Sequence, residues 1–197
     1  VDKFANRLVA AIFGAWFCFA LALGVSGTFE SAGALVVALM VWGLTALVLL
    51  ACWKSLTVRN LAATVPLQWL IALHLVRFIG IFFLILASHS RLPGGFAKPA
   101  GIGDIIVAIG AVALLAMPGL RSSIAVLRIW NFFGFIDILF VIFSALRFGL
   151  QDWTSMAALR QLPLSLLPTF FVPLIIASHV LIFVRLMTAG KVGSSIR

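Results

Sequence analysis

Six continuous apolar runs divide the chain, at residues 8–25, 33–53, 66–87, 102–117, 129–146 and 164–187. An α-helix needs about 20 such residues to cross the hydrocarbon core of a bilayer. The pattern therefore predicts six transmembrane helices joined by short loops. The apolar residues run on without alternating with polar ones, which excludes a transmembrane β-barrel. The fourth run is the shortest and lies between Pro99 and Pro118, so its helix is expected to start earlier or to lie tilted. The sixth carries Pro163, Pro168 and Pro173. Its first part is expected to be re-entrant, interfacial or kinked, because proline cannot donate to the helical ladder.

Composition sharpens the class. Of the 197 residues, 64% are hydrophobic and 10% charged, against about 25% charged in soluble domains. The fold class is all-α, a polytopic six-helix bundle with residues 1–197 forming one transmembrane domain and no room for an extramembrane one. Lys3 and Arg7 ahead of an apolar core resemble a signal peptide, and the first run is read as an uncleaved signal anchor.

The net charge of +9 is unevenly distributed. Lys3, Arg7, Lys54, Arg59, Arg121, Arg128, Arg185, Lys191 and Arg197 fall on one predicted side, and Arg91, Lys98, Arg147 and Arg160 on the other. Basic residues favour the cytoplasmic face, so both termini are expected there, with the protein in the inner (plasma) membrane of the cell. The charge then attracts anionic lipid heads. Basic residues split among short loops do not make a nucleic-acid surface. Cys18 and Cys52 are predicted at different depths and read as unpaired. There is no CxxC, HExxH, Walker loop or GxSxG sequence, so a metal centre is not expected and an enzyme is the less favoured reading.

Polar residues inside the runs carry the candidate chemistry. An arginine at the bilayer centre costs about 2.5–3.5 kcal/mol on insertion scales, so Arg77 in "IALHLVRFIGIFF" (71–83) calls for compensation. His74 and Arg77 share a face of the third helix, with Gly80 above them. Asp137 is predicted near the same depth in the fifth helix, on a stripe with Trp130, Gly134, Val141 and Ser144. His179 lies at a similar depth in the sixth. Arg77 is therefore expected to pair with Asp137.

Asp104 follows "LPGGFAKPAGIG", residues 92–103, whose glycines and prolines predict a shaped loop. It is expected in the first turn of the fourth helix, where the helix dipole stabilises a carboxylate; the alternative has it facing inward above Arg77. Gly101, Gly103 and Gly110, with Ala108 and Ala111, are placed to let helices approach closely. His89 is expected to meet water or lipid heads.

The pattern Arg77-x-x-Gly80-x-x-Phe83, then Leu92-Pro93-x-x-Phe96-Ala97 and Ala100-Gly101-x-Gly103-Asp104, resembles a group of small bacterial multipass proteins labelled uncharacterised. Trp130, Asn131, Gly134 and Asp137 are similar to its later segment. The resemblance covers roughly residues 66–145 and implies a shared fold and Arg/Asp set without an activity. That group more usually carries glutamine at the position of His74.

"IALH" (71–74) and "IASH" (176–179) also echo one another, as inverted three-helix halves of a transporter would.

Four functions follow. The first is a mid-membrane site that binds or transports a small polar, anionic or amphipathic ligand, made by Arg77, Asp137, His74, His179, Asp104, Trp130 and Asn131. At this size it is expected to work as a homodimer or within a larger membrane complex. The second is b-type haem binding with His74 and His179 as axial ligands. The third is an intramembrane lipid-modifying enzyme with Asp137 or a histidine as base and Arg77 as anion clamp. The fourth is a structural subunit of a larger complex, with the polar residues structural.

Overall fold

The computed structural model describes residues 3–194, with side chains from 7 to 188. Its regular structure is helical throughout these residues. Six helices are long and apolar enough to cross a membrane: Arg7–Val25, Ala34–Lys54, Leu67–Ser88, Gly94–Ala116, Ile124–Gln151 and Leu167–Thr188. We call them spans one to six, and the chain is a multipass membrane protein. The side chains of Lys3 and Lys191, and all of Arg197, lie outside the described residues.

Span six is the centre of the bundle, with 56% of its apolar window buried, against 11% in spans one and two. Span four packs along span three and then span five, while span two lies against spans five and six. The outward faces of the bundle are apolar, including Leu39, Leu47, Ile106 and Phe133. Lipid is as apolar as these side chains, so the interior is distinguished by close packing and polar contacts rather than by hydrophobicity.

Span three is helical in two ways. It is α-helical over Leu67–Ala72, tightens to a 3-10 helix over Leu73–Ile79, and returns to α-helix over Gly80–Ser88. A 3-10 helix has three residues per turn and rarely exceeds four residues. Its buried positions recur accordingly at Ile71, His74, Arg77, Gly80, Phe83 and Leu86. The tightened segment aligns His74 directly beneath Arg77, where a 3.6-residue period would leave them offset on the same face.

Span four corrects the expected boundary. The segment read as a shaped loop is helix from Gly94, with Pro99 inside it. Residues 94–101 are small or apolar apart from Lys98, and Ala97 and Ala100 are fully buried. Close packing on span three thus overrides the weak helix propensity of glycine and proline. Asp104 consequently lies in the third turn, away from the dipole-stabilised first turn expected for it.

Span five begins at Ile124, where the Ser123 hydroxyl accepts from the Val126 amide at 3.4 Å, and continues to Gln151. Asp152 then accepts from the Thr154 hydroxyl and the Thr154 and Ser155 amides. The prolines of the sixth run produce a π-helical turn over Leu167–Phe171 before regular α-helix resumes at Val172. Cys18 and Cys52 are free thiols, and His89 is exposed as expected.

Candidate functional site

Gly80 and Gly101 bring spans three and four together backbone to backbone. A Cβ on Gly101 would stand 2.6 Å from the Gly80 carbonyl oxygen, and one on Gly80 would overlap the Gly101 oxygen. Arg77 precedes Gly80 by one 3-10 turn, and Asp104 follows Gly101 by about one α-turn. The crossing therefore sets the arginine against the aspartate, and Arg77 Nε donates to Asp104 Oδ1 at 2.7 Å.

Span five supplies the rest of the guanidinium's partners. Arg77 Nη1 donates to the Gly134 carbonyl at 2.9 Å, and Nη2 donates to Asp137 Oδ2. Asp137 fits only because Gly103 faces it: a Cβ there would overlap Oδ1. Arg77 is 1% exposed and the Asp104 side chain 5%, while Asp137 is 18% exposed at the edge of the cluster. When all three groups are ionised, the site holds one carboxylate more than the arginine neutralises.

A second polar group lies one turn away. The His74 and His179 rings are in contact, with centroids 4.3 Å apart. The Ser178 hydroxyl donates to the Ile175 carbonyl at 2.8 Å, so it accepts from His74 Nε2 at 3.0 Å. The Asn131 amide nitrogen donates to the His179 carbonyl at 3.0 Å, which leaves its oxygen to accept from His179 Nδ1 at 2.8 Å. Each neutral ring then presents one bare nitrogen, His74 Nδ1 and His179 Nε2, buried without a partner. Trp130 closes this group edge-on to His74 at 5.0 Å, its indole donating to the Val107 carbonyl at 3.1 Å.

Gly134 joins the two groups. Its carbonyl binds Arg77, and a Cβ on it would stand 2.7 Å from His179 Cε1. All seven candidate residues thus belong to one polar thread across spans three to six. Asp104 takes the inward alternative and becomes a direct partner of Arg77. Sequence reasoning missed Ser178, although it adjoins His179 in "IASH", and it missed the part played by the Gly134 carbonyl; Gly103, expected to let helices approach closely, is where Asp137 of span five fits. A backbone acceptor leaves no mark in a residue pattern.

The histidine geometry bears on haem. Axial imidazoles stand on opposite sides of a macrocycle, whereas these rings touch, so no porphyrin fits between them in this arrangement. No group of three or more His, Cys, Asp or Glu side chains among the described residues could hold a metal ion.

Two clefts lie toward the far ends of spans three and five. One, of about 740 Å³, is lined by residues including Arg91, Asp152 and Gln161; the other, of about 90 Å³, is almost wholly apolar. Neither has Arg77 in its wall.

A family model described as "Domain of unknown function (DUF8737)" matches residues 33–187. The chain belongs to this family. The matched region takes in spans two to five, nearly all of span six and the whole polar thread, and it leaves out span one. No curated protein and no solved structure matches the chain.

Proposed function

We propose that this protein binds or transports a small anionic or amphipathic solute within the membrane, at the site formed by Arg77, Asp104 and Asp137. The observation that carries the proposal is the surplus carboxylate on a buried guanidinium. One aspartate suffices to neutralise Arg77, so the second is exchangeable at a smaller electrostatic cost than a sole partner. Asp137 is the replaceable one, being the more exposed. On taking up a proton it releases Nη2, which then donates to an anionic group of the solute. Asp104 and the Gly134 carbonyl hold Nε and Nη1 in both states. Intramembrane ionisable groups of this kind usually mark a substrate or proton pathway. The charge asymmetry of the loops supports an orientation with both termini in the cytoplasm.

The experiment is uptake in proteoliposomes that enclose a pH-sensitive dye, with lactate, succinate and inorganic phosphate as trial solutes. Solute-dependent acidification of the lumen is expected for at least one of them, lost in Arg77→Gln and uncoupled from protons in Asp137→Asn. Equal proton flux from wild-type and Arg77→Gln vesicles with every solute would sink the proposal.

One observation favours a second reading. Nε, Nη1 and Nη2 of Arg77 are all engaged and the residue is buried. In this reading the cluster only locks spans three, four and five together. Vesicles that show no solute-dependent flux, with Arg77→Gln failing to fold, are its expected signature.

A further inference from the structure

The larger cleft, of about 740 Å³, lies where spans three and five end and span four begins. Ligand pockets commonly hold about 300–1,000 Å³. Buried Leu92 and Ala158 form its floor, and both belong to the packed apolar cluster that contains Phe83 and Phe96. Part of its wall is the turn that joins spans three and four. There Ser90 takes a left-handed φ of 56°, a conformation that is costly for a residue with a side chain and that gathers at ligand sites. The Arg91 amide fastens this turn by donating to the Leu86 carbonyl at 2.8 Å. The rest of the wall is the end of span five and the segment after it, with Gln151, Asp152 and Gln161.

Arg91 and Asp152 line this cleft together and do not pair with each other. Among the described residues both ion pairs belong to Arg77. The Thr154 hydroxyl and the Thr154 and Ser155 amides all donate to Oδ1 of Asp152, and Oδ2 takes no part in that turn. A simple anion entering the cleft is drawn to Arg91 and repelled by Asp152, and a simple cation meets the reverse. Only a molecule with both charges gains from both residues. Gln151 and Gln161 add amide donors and acceptors to the same wall.

We propose that this cleft binds a small zwitterion, its anionic group on Arg91 and its ammonium on Oδ2 of Asp152. This site is separate from the Arg77 cluster and does not depend on the function proposed for it. A short peptide arriving from water and the head of a phosphatidylethanolamine share this chemistry.

The test titrates the protein in uncharged maltoside micelles with triglycine and, separately, with glycerophosphoethanolamine, and follows the amide resonances of Thr154 and Ser155. Saturable shifts are expected with at least one of them. Saturation by triglycine identifies a peptide as the source, and saturation by glycerophosphoethanolamine alone identifies the lipid head. Acetyl-triglycine lacks the ammonium and triglycinamide lacks the carboxylate, and each should bind about fivefold more weakly than triglycine. Glycerophosphate and ethanolamine are the one-charge forms for the lipid head. Arg91→Gln should abolish the preference for triglycine over triglycinamide, or for glycerophosphoethanolamine over ethanolamine. Asp152→Asn should abolish the preference over acetyl-triglycine or glycerophosphate. Asparagine keeps an acceptor for the turn, and if that variant melts at a lower temperature, Arg91→Gln decides alone. Equal affinity for a zwitterion and both of its one-charge forms, or a preference unchanged in Arg91→Gln, overturns the proposal. So does the lack of a saturable shift with either zwitterion.

Discussion

Gly80 and Gly101 face one another at a distance that leaves no space for a side chain on either. That contact, rather than the attraction between charges, decides where Arg77 meets Asp104. Polar bonds between transmembrane helices contribute only about 0.6–2 kcal/mol each. An approach of two backbones is set by shape, and its steric penalty rises steeply when a methyl group is inserted.

Gly101→Ala is accordingly expected to cost about 1–3 kcal/mol through overpacking, read as a lower midpoint of unfolding in detergent. Gly14→Ala, where nothing lies within 4 Å of the added Cβ, is the control and should leave the midpoint unchanged. Equal midpoints for the two variants would contradict the close crossing.

Arg77→Ala strips the partner from two carboxylates at once. Breaking a buried ion pair from one side costs about 3–5 kcal/mol, so this variant should be the least stable of its series. Asp104→Asn and Asp137→Asn each leave one carboxylate on the guanidinium and should be milder. Exchanging the charges, as Arg77→Asp with Asp137→Arg, should fail to restore stability, because the new aspartate would face Asp104. A fully restored unfolding midpoint for that double variant would show that Asp104 is not a partner of residue 77.

Asn131→Ala removes the acceptor for His179 Nδ1 and the donor to the His179 carbonyl. Each buried group left unsatisfied costs about 1–3 kcal/mol. Loss of stability should be accompanied by loss of a single His179 tautomer, which nitrogen NMR of labelled histidine reads directly. An unaltered His179 spectrum in the variant would contradict the assigned hydrogen bond.

Outside the membrane the Asp152 carboxyl is held below its ordinary value of 3.8, first by the Thr154 hydroxyl and then by the Ser155 amide. A lowered folded-state value means that the carboxylate's contribution is present above the ordinary value and is lost as pH falls through the folded one. The amide resonances of Thr154 and Ser155 should therefore hold steady from neutral pH down to about the ordinary carboxylate range and move only in stronger acid. Asp152→Asn should shift them already at neutral pH.

Much of this molecule is legible in its sequence. Six spans, the shared face of His74 and Arg77, and the meeting of Arg77 with Asp137 follow from apolar run length and from the expense of leaving a charge in hydrocarbon. Both are local or pairwise constraints that residue types express directly. Propensity misplaces Asp104, because it reads the glycines and prolines of residues 93–101 as loop. In the bundle the same small residues are what allow spans three and four to touch, and the helix extends through them.

The sequence by itself determined an all-helical membrane chain with a guanidinium that had to be neutralised inside it. Tertiary structure alone decided how: by two aspartates and a glycine carbonyl, with the 3-10 turn aligning His74 beneath Arg77 and the histidines of spans three and six brought into contact. Helix pairing in lipid depends on which small residues meet across an interface, and that is a property of two surfaces at once. A single run of residues carries only one of them.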